Sequence, residues 1–295
     1  MARWRVGRVE GEALAWAMDT LVAEEPLEIR LRWGEGARFA RVAVTMRTPG
    51  HDFDLAAGFL FTEGILDGPH QVWRLTYCAD PTVDGAQRYN IVNVWVQDAG
   101  VCERLAAGSR DFRVSSSCGL CGKSSIESVR LQPAYRAGPR VPRLDPWVIG
   151  QLPGELRRAQ RLFDRTGGLH AAGLFDASGH LVAVREDVGR HNAVDKVVGS
   201  AFLSGGLPLS QHILVVSGRA GFEIVQKAAM AGIPAVVSVS APTSLACEAA
   251  REWGLTLIGF ARGERFNVYT GAERLCVRAG AYPAMQEREA AAPNG

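Results

Sequence analysis

No run of this 295-residue chain approaches the roughly 20 apolar residues of a membrane span. The opening MARWRVGRVEGEALAW has no continuous apolar stretch of the kind a secretory signal carries. These absences predict a cytoplasmic protein that binds no membrane, in a compartment where thiols stay reduced. Charge of one sign is not in excess either: 33 basic and 31 acidic residues leave a net charge of +2. That excludes the global basic footprint of a nucleic-acid binder, although local arginine clusters can still take phosphate. No segment repeats. With 47% hydrophobic and 22% charged residues, the composition is that of an ordinary globular protein. The length suits one large domain or two modest ones, with a core that needs no covalent staples.

Cysteine is scarce and, with one exception, scattered. Cys78, Cys102, Cys247 and Cys276 have no close partner in sequence and read as small buried hydrophobes. The exception is Cys118 and Cys121, in SSSCGLCGKSS at 115–125. A structural zinc site needs a second Cys/His pair, which is missing. A zinc base deaminase needs H-x-E together with P-C-x-x-C. Here no histidine is followed by x-E, and Ser117 precedes Cys118. No metal site is therefore expected.

Three readings of the pair remain. It can be a dithiol that exchanges with disulfides, as C-x-x-C near a βαβ pattern suggests. It can be an incidental pair, although two exposed thiols on a loop are an oxidation liability. Or it can carry sulfur. A thiolate is the nucleophile in such chemistry, and a helix N-terminus with a nearby cation lowers its pKa. Ser124 and Glu127 have capping-box spacing, which predicts a helix start just beyond Cys121, and Lys123 lies beside it. Gly119 and Gly122 allow the loop to swing. A thiolate that attacks a donor persulfide would hold the sulfur as Cys–S–SH.

The pattern around this loop divides the chain. Strands are expected at 28–33 and 38–48, then a short helix from 52 or 54 capped by Asp52 or Asp54, then strands in QVWRLTYC and RYNIVNVWVQ. Residues 1–130 thus read as a β-rich lobe that holds one helix and ends in the C-x-x-C loop. Proline-rich 131–148 reads as a linker. An α/β lobe follows over 149–283: a helix near 148–163, a hairpin through LHAAGLFDASGHLVAVRED, a helix in HNAVDKVVGSAFL, and then alternating strands and helices. That alternation predicts a parallel sheet. The tail 284–295 is expected to be disordered.

In an open α/β sheet, ligands bind beyond the carboxyl ends of the strands. Three such ends are legible: Ser217-Gly218-Arg219, Ser238 to Pro242, and Phe260-Ala261-Arg262-Gly263-Glu264-Arg265. Helices after the first two offer amides to phosphate, and the arginines add bidentate donors. None of the three is a P-loop. In REDVGRHN, the residues Glu186, Asp187, Arg190 and His191 can serve a ligand or a proton, or can form a capped, salt-bridged helix start. His170 reads as structural, and His51, His70, His180 and His212 have no assigned role.

Several segments together carry a family resemblance: SSCGLCG, DRTGGLHAAGLF, REDVGRHNAVDK, VSGRAGFEIVQKA and APTSLACEAAREWGLTLIGFARGERFNVYT. In this order, over roughly 38–276, they resemble the FdhD family, accessory sulfurtransferases of formate dehydrogenase. The resemblance implies that sulfur is taken from a cysteine desulfurase. It is then passed to the metal, molybdenum or tungsten, of the bis-molybdopterin guanine dinucleotide cofactor of formate dehydrogenase. It also implies a cytidine-deaminase-like C-terminal lobe and a homodimer. Carried over by motif, Cys118 matches the persulfide-forming position and Cys121 its partner, and FARGER at 260–265 matches the stretch that holds the guanine dinucleotide cofactor. The competing expectations are a dithiol–disulfide oxidoreductase and a nucleotide-binding chaperone with incidental cysteines.

Overall fold

A computed structural model describes residues 1–34, 38–97, 100–101, 133, 135 and 142–277. Cys102, the loop with Cys118 and Cys121, the expected helix start at Ser124, most of the expected linker and the tail from 284 lie outside the described residues. The described part is mixed α/β, with three sheets and six helices among the described residues.

The chain opens with an antiparallel hairpin, β1 (Ala2–Glu10) and β2 (Ala13–Leu21), which the sequence reading missed. Its residues are exposed on both faces, so no alternation of buried and polar positions marks it. Gly11, at φ 61°, makes the tight turn.

A four-stranded sheet follows, in the order β4-β3-β6-β5. Its strands are β3 (Glu25–Arg32), β4 (Phe39–Arg47), β5 (Val72–Tyr77) and β6 (Ile91–Val96). β3 and β6 run parallel, and the outer pairs are antiparallel. Leu27, Ile29 and Leu31 alternate inward from β3.

Between β4 and β5 lies α1 (Asp52–Thr62), where all but Phe53 and Asp54 are buried. A helix apolar all round belongs inside a protein, between layers. Neither Asp52 nor Asp54 caps it: the cap residue is His51, with a left-handed backbone (φ 57°) and no side-chain cap bond. Both carboxylates are engaged by arginines instead. Asp52 accepts from Arg47 Nε and Nη2 at 3.1 and 3.0 Å, and Asp54 accepts from Arg185 at 2.8 Å.

The third sheet has six strands in the order β12-β11-β10-β9-β7-β8. They are β7 (His170–Asp176), β8 (Leu181–Asp187), β9 (His212–Val216), β10 (Ala235–Ser238), β11 (Thr256–Arg262) and β12 (Arg265–Thr270). The expected parallel sheet is only its centre. β9, β10 and β11 are parallel, while β7, β8 and β12 are antiparallel neighbours. The hairpins on either side have connections too short for a crossover helix, which forces antiparallel pairing.

The helices of this half are α2 (Pro146–Ala159), α3 (Arg161–Thr166), α4 (Arg190–Leu203), α5 (Phe222–Met230) and α6 (Ser244–Glu252). Asp145 caps α2 by accepting from the Trp147 amide (2.8 Å), and Pro146 sits in its first turn.

One apolar cluster joins both sheets. It runs from Leu27, Ile29 and Val94 through Leu55 and Phe59 of α1 to Val194 and Val197 of α4 and Leu214 and Val216 of β9. A second cluster packs Ile149, Leu152 and Leu156 of α2 on the opposite face of the six-stranded sheet, against Phe175, Ile213, Val215 and Ile258. Each such side chain, fully buried, contributes roughly 1.5–3 kcal/mol.

The tightest point is the crossing of α1 with α4. A Cβ on Gly58 would lie 1.9 Å from the Asp195 carbonyl oxygen, and one on Gly199 would lie 1.8 Å from that of Asp54. The two helices touch backbone to backbone, which only glycine permits. Buried ion pairs flank the crossing. Lys227 Nζ donates to Asp195 at 2.8 and 2.9 Å and to Thr62 Oγ1 at 3.0 Å. Lys196 Nζ lies 2.6 Å from Asp187 and donates to the Thr48 carbonyl at 2.8 Å.

Candidate cofactor cleft

The carboxyl ends of the three parallel strands open onto a cavity of about 610 Å³. Its floor is Ser217 after β9, Val239 after β10, and Ala261, Arg262 and Gly263 at the end of β11. Its wall is the break between α2 and α3, with Gly154, Arg157, Gln160 and Phe163. Gly167, Gly168 and His170 lead into β7 on the same side.

Local sequence explains each wall. The loops beyond β9 and β10 are tied together. Ser238 donates to the Gly218 carbonyl (2.7 Å) and accepts the Ser240 amide (3.2 Å), and the Thr243 amide reaches the Ala220 carbonyl (3.2 Å). Thr243 then caps α6 through the Ala246 amide at 3.3 Å. Ser217 is fixed by β7: its hydroxyl oxygen accepts from the Ala171 amide at 2.9 Å.

FARGER is the tight turn of the β11–β12 hairpin, and no helix follows it directly. The ladder is irregular between Gly259 and Arg262. Within that irregularity Phe260 holds φ 54°, a left-handed conformation that costs a bulky residue of order 1–3 kcal/mol. Its amide bonds the Ser240 carbonyl at 3.2 Å. Phe260 stands 45% exposed and does not line the cavity, whereas the next three residues do. Gly263, at φ 55°, takes the turn, and its carbonyl oxygen would lie 2.1 Å from a Cβ on Gly150 of α2. The helix thus seats the turn by backbone contact.

The sequence-predicted residues separate accordingly. Ser217, Ala261, Arg262 and Gly263, from two distant segments, meet in the cavity. Gly218 does not line it but lies under the His170 ring, 3.2 Å from a would-be Cβ to Nδ1. Arg219, Glu264 and Arg265 are exposed outside the lining. Cys118 and Cys121 lie outside the described residues.

Gln160, Phe163 and Arg157 are cavity residues that sequence reading missed. The expected helix over 148–163 hid the break at Gln160, which ends α2 and precedes α3 with φ −80° and ψ 73°. His170, read as structural, is half-buried in the cavity wall. Burial, and then the charge of Arg190, hold its pKa below the ordinary value. It is a neutral imidazole at neutral pH.

The carboxylates of REDVGRHN are spent on the protein. Glu186 accepts from the amides of Leu162 and Phe163 (2.9 and 2.8 Å) and so fixes the start of α3. Asp187 is fully buried and accepts from the Thr48 and Gly189 amides and from Asn192. His191 lies 3.2 Å from Glu223 of α5. The three scattered cysteines among the described residues differ among themselves. Cys78 is buried and Cys247 half-buried, but Cys276 is exposed beside Arg143, against expectation. It follows the last turn of the described chain, where the Leu144 carbonyl accepts from its amide (2.8 Å) and Arg143 Nε donates to its sulfur (3.3 Å).

Among the described residues no group of three or more His, Cys, Asp or Glu side chains gathers to hold a metal ion. No helix there is long and apolar enough to cross a membrane.

Comparison with known proteins gives this architecture relatives. A protein of Streptomyces avermitilis named sulfur carrier protein FdhD is 52% identical over 280 residues, which covers 95% of this chain and 97% of the relative. Proteins of the same name from Thermoplasma volcanium and Mycobacterium tuberculosis are 45% and 44% identical, over 92% and 93% of this chain and 94% and 98% of theirs. The crystal structure of a candidate formate dehydrogenase accessory protein from Desulfotalea psychrophila shares the fold. Its TM-score is 0.70 at 23% identity, with 93% of this chain and 98% of that one covered. The model of the FdhD/NarQ family matches residues 22–276. This chain therefore belongs to the FdhD/NarQ family.

Proposed function

We propose that this protein is a sulfurtransferase of formate dehydrogenase maturation. It takes sulfane sulfur from a cysteine desulfurase and passes it to the metal of the bis-molybdopterin guanine dinucleotide cofactor of that enzyme. The relatives' name, sulfur carrier protein, supports the sulfur-carrying part. The structural relative's description as a formate dehydrogenase accessory protein supports the client. The observation that carries the acceptor side is the convergence of Ser217 with Ala261–Gly263 on one cavity at the strand ends. In this reading the cavity takes the guanine dinucleotide arm of the cofactor, which is substrate here and not a resident group.

The chemistry balances on two thiols. The Cys118 thiolate attacks the sulfane sulfur of a donor persulfide, which leaves the donor as a thiolate and forms Cys118–S–SH. Attack by the Cys121 thiolate on the inner sulfur then releases the outer one at the oxidation level of sulfide. The two electrons come from the cysteine pair, which ends as a disulfide and must be reduced before the next cycle. Around the cleft, Arg262 supplies a charged donor for a phosphate oxygen, and the Gly263 backbone permits close approach. Ser217 and neutral His170 offer hydrogen bonds without adding charge.

The remaining readings belong to the same proposal: a cytoplasmic protein that works as a homodimer. Its C-terminal half follows the cytidine deaminase plan, which a hairpin leading into three parallel strands supports.

The test is loading with a desulfurase and labelled cysteine, followed by peptide mapping. Wild type gains a reductant-labile sulfur on the peptide of residues 115–125. Cys118→Ala gains none there and fails to activate formate dehydrogenase. A Cys118→Ala protein that matures the enzyme at the wild-type level refutes the carrier role. Loading on Cys121 alone reverses the two roles.

A further inference from the structure

We propose that Gln160 and Phe163 form the base subsite of the cleft, with the carboxamide of Gln160 paired to the edge of a guanine stacked on Phe163. This rests on the reading of the cavity as a guanine nucleotide site. No sequence motif or family stretch points to these residues.

Gln160 is 3% exposed and lines the cavity. Its backbone is fully used: the amide donates to Arg157 and the carbonyl accepts from Asp164. Its side-chain amide hydrogen bonds to nothing among the described residues. Its amide atoms are not sealed off but open to the cavity, so a ligand edge that enters meets a donor and an acceptor the protein does not use. The position is also a rigid one. It is the joint between α2 and α3, and α3 is pinned behind it by Glu186 on the Leu162 and Phe163 amides.

Three residues on, Phe163 lines the same cavity. The guanidinium of Arg157 lies 4.6 Å from its ring centroid and is held by Asp164 at 2.5 Å. An aromatic ring and a guanidinium in contact, both on the cavity lining, present stacking surface to a nucleobase. The Arg262–Gly263 turn supplies a charged donor and close backbone approach elsewhere on the lining, so one cavity offers a stacking surface, an edge reader and a phosphate contact. Its volume falls within the range of small-molecule sites.

The carboxamide offers one donor and one acceptor. It pairs with O6 and N1–H of guanine, and with the reversed pattern on adenine after an amide flip. A carboxylate offers acceptors only. It matches N1–H and N2–H of guanine and repels N1 of adenine.

The experiment is calorimetric titration of the full chain with guanosine diphosphate, adenosine diphosphate and inorganic pyrophosphate, for wild type, Gln160→Ala and Gln160→Glu. Thermal midpoints are measured alongside. Gln160→Ala is expected to weaken guanosine diphosphate by roughly ten- to hundredfold and to leave pyrophosphate unchanged. Gln160→Glu is expected to raise the preference for guanosine over adenosine diphosphate by about tenfold or more. Equal guanosine diphosphate affinity in wild type and Gln160→Ala overturns the base subsite and leaves the cleft reading standing. Parallel loss of pyrophosphate in Gln160→Ala also overturns it, because it marks a collapsed α2–α3 joint. Wild type that binds no guanosine diphosphate overturns both the subsite and the cleft reading.

Discussion

Along the seam between α1 and α4, Gly58 and Gly199 bring two backbones into contact, and Lys227, Asp195, Lys196 and Asp187 are buried with partners a hydrogen bond away. At the strand-end cleft, Arg262 is exposed, Phe260 carries a strained backbone, and the side-chain carboxamide of Gln160 has no partner among the described residues. Both regions are rich in polar side chains. The difference lies in where those side chains spend their hydrogen bonds. In the seam the bonds go to the protein itself and fix the two sheets to one another. In the cleft they remain available, which is what a binding site requires. REDVGRHN shows the contrast within eight residues. Asp187 and Glu186 serve the fold, while Arg190 lies close enough to His170 to bias an imidazole on the cavity wall.

Breaking the seam has the largest expected effect. Lys227→Met leaves Asp195 buried without its cation and is expected to cost about 3–5 kcal/mol. Adding Asp195→Leu should recover much of that loss, since a pair removed whole leaves no uncompensated charge. Chemical denaturation of both variants measures this, and a single variant as stable as wild type would mean that solvent reaches the pair.

Next comes Gly199→Ala. The new methyl meets the Asp54 carbonyl and must push α1 off α4, for a loss of about 3 kcal/mol despite better helix propensity. In a chain of this size the melting midpoint drops by roughly 5 °C. A drop of under 2 °C would show that the two helices separate cheaply.

In the cleft the expectation reverses. Arg262→Ala should leave the melting midpoint unchanged, because the side chain is exposed. It should weaken guanosine diphosphate by about 1.5–3 kcal/mol, the range of a charged hydrogen bond. Equal affinity in a calorimetric titration would move the phosphate away from Arg262.

The smallest effect belongs to His170. Its pKa is lowered in the fold by burial and by Arg190, so the unfolded chain binds its proton more readily. The stability that follows is present above the ordinary histidine pKa near 6.5 and is lost as pH falls through the folded value. Between pH 7 and pH 5, wild type should therefore lose slightly more stability than His170→Gln. Identical slopes in thermal melts across that range would show that the ring is solvated.

Much of the fold was legible because periodicity reports burial. β4, β9 and β10, with inward apolar residues, were found to within about two residues, and β3 was found but begins three residues before the expected start at 28. β1 and β2 were missed because neither face is buried, and β12 because FARGER ends one strand and starts the next within a few residues. Of the cleft, the strand-end segments were legible from the glycine–arginine pattern. Gln160 and Phe163 were not, since a helix break at a glutamine leaves no glycine or proline to announce it.

The sequence by itself determined the elements and the chemistry of single residues: alternation set the strands, apolar runs set the buried helix α1, and the spacing of Cys118 and Cys121 set a thiol pair. Tertiary structure alone decided which carboxylates are structural, that Phe260 turns away from the cavity lined by its three successors, and that α2 and α3 close that cavity over strands about fifty to a hundred residues away in the chain. Those outcomes depend on contacts between distant segments, and local periodicity reports that a residue is buried without naming its partner.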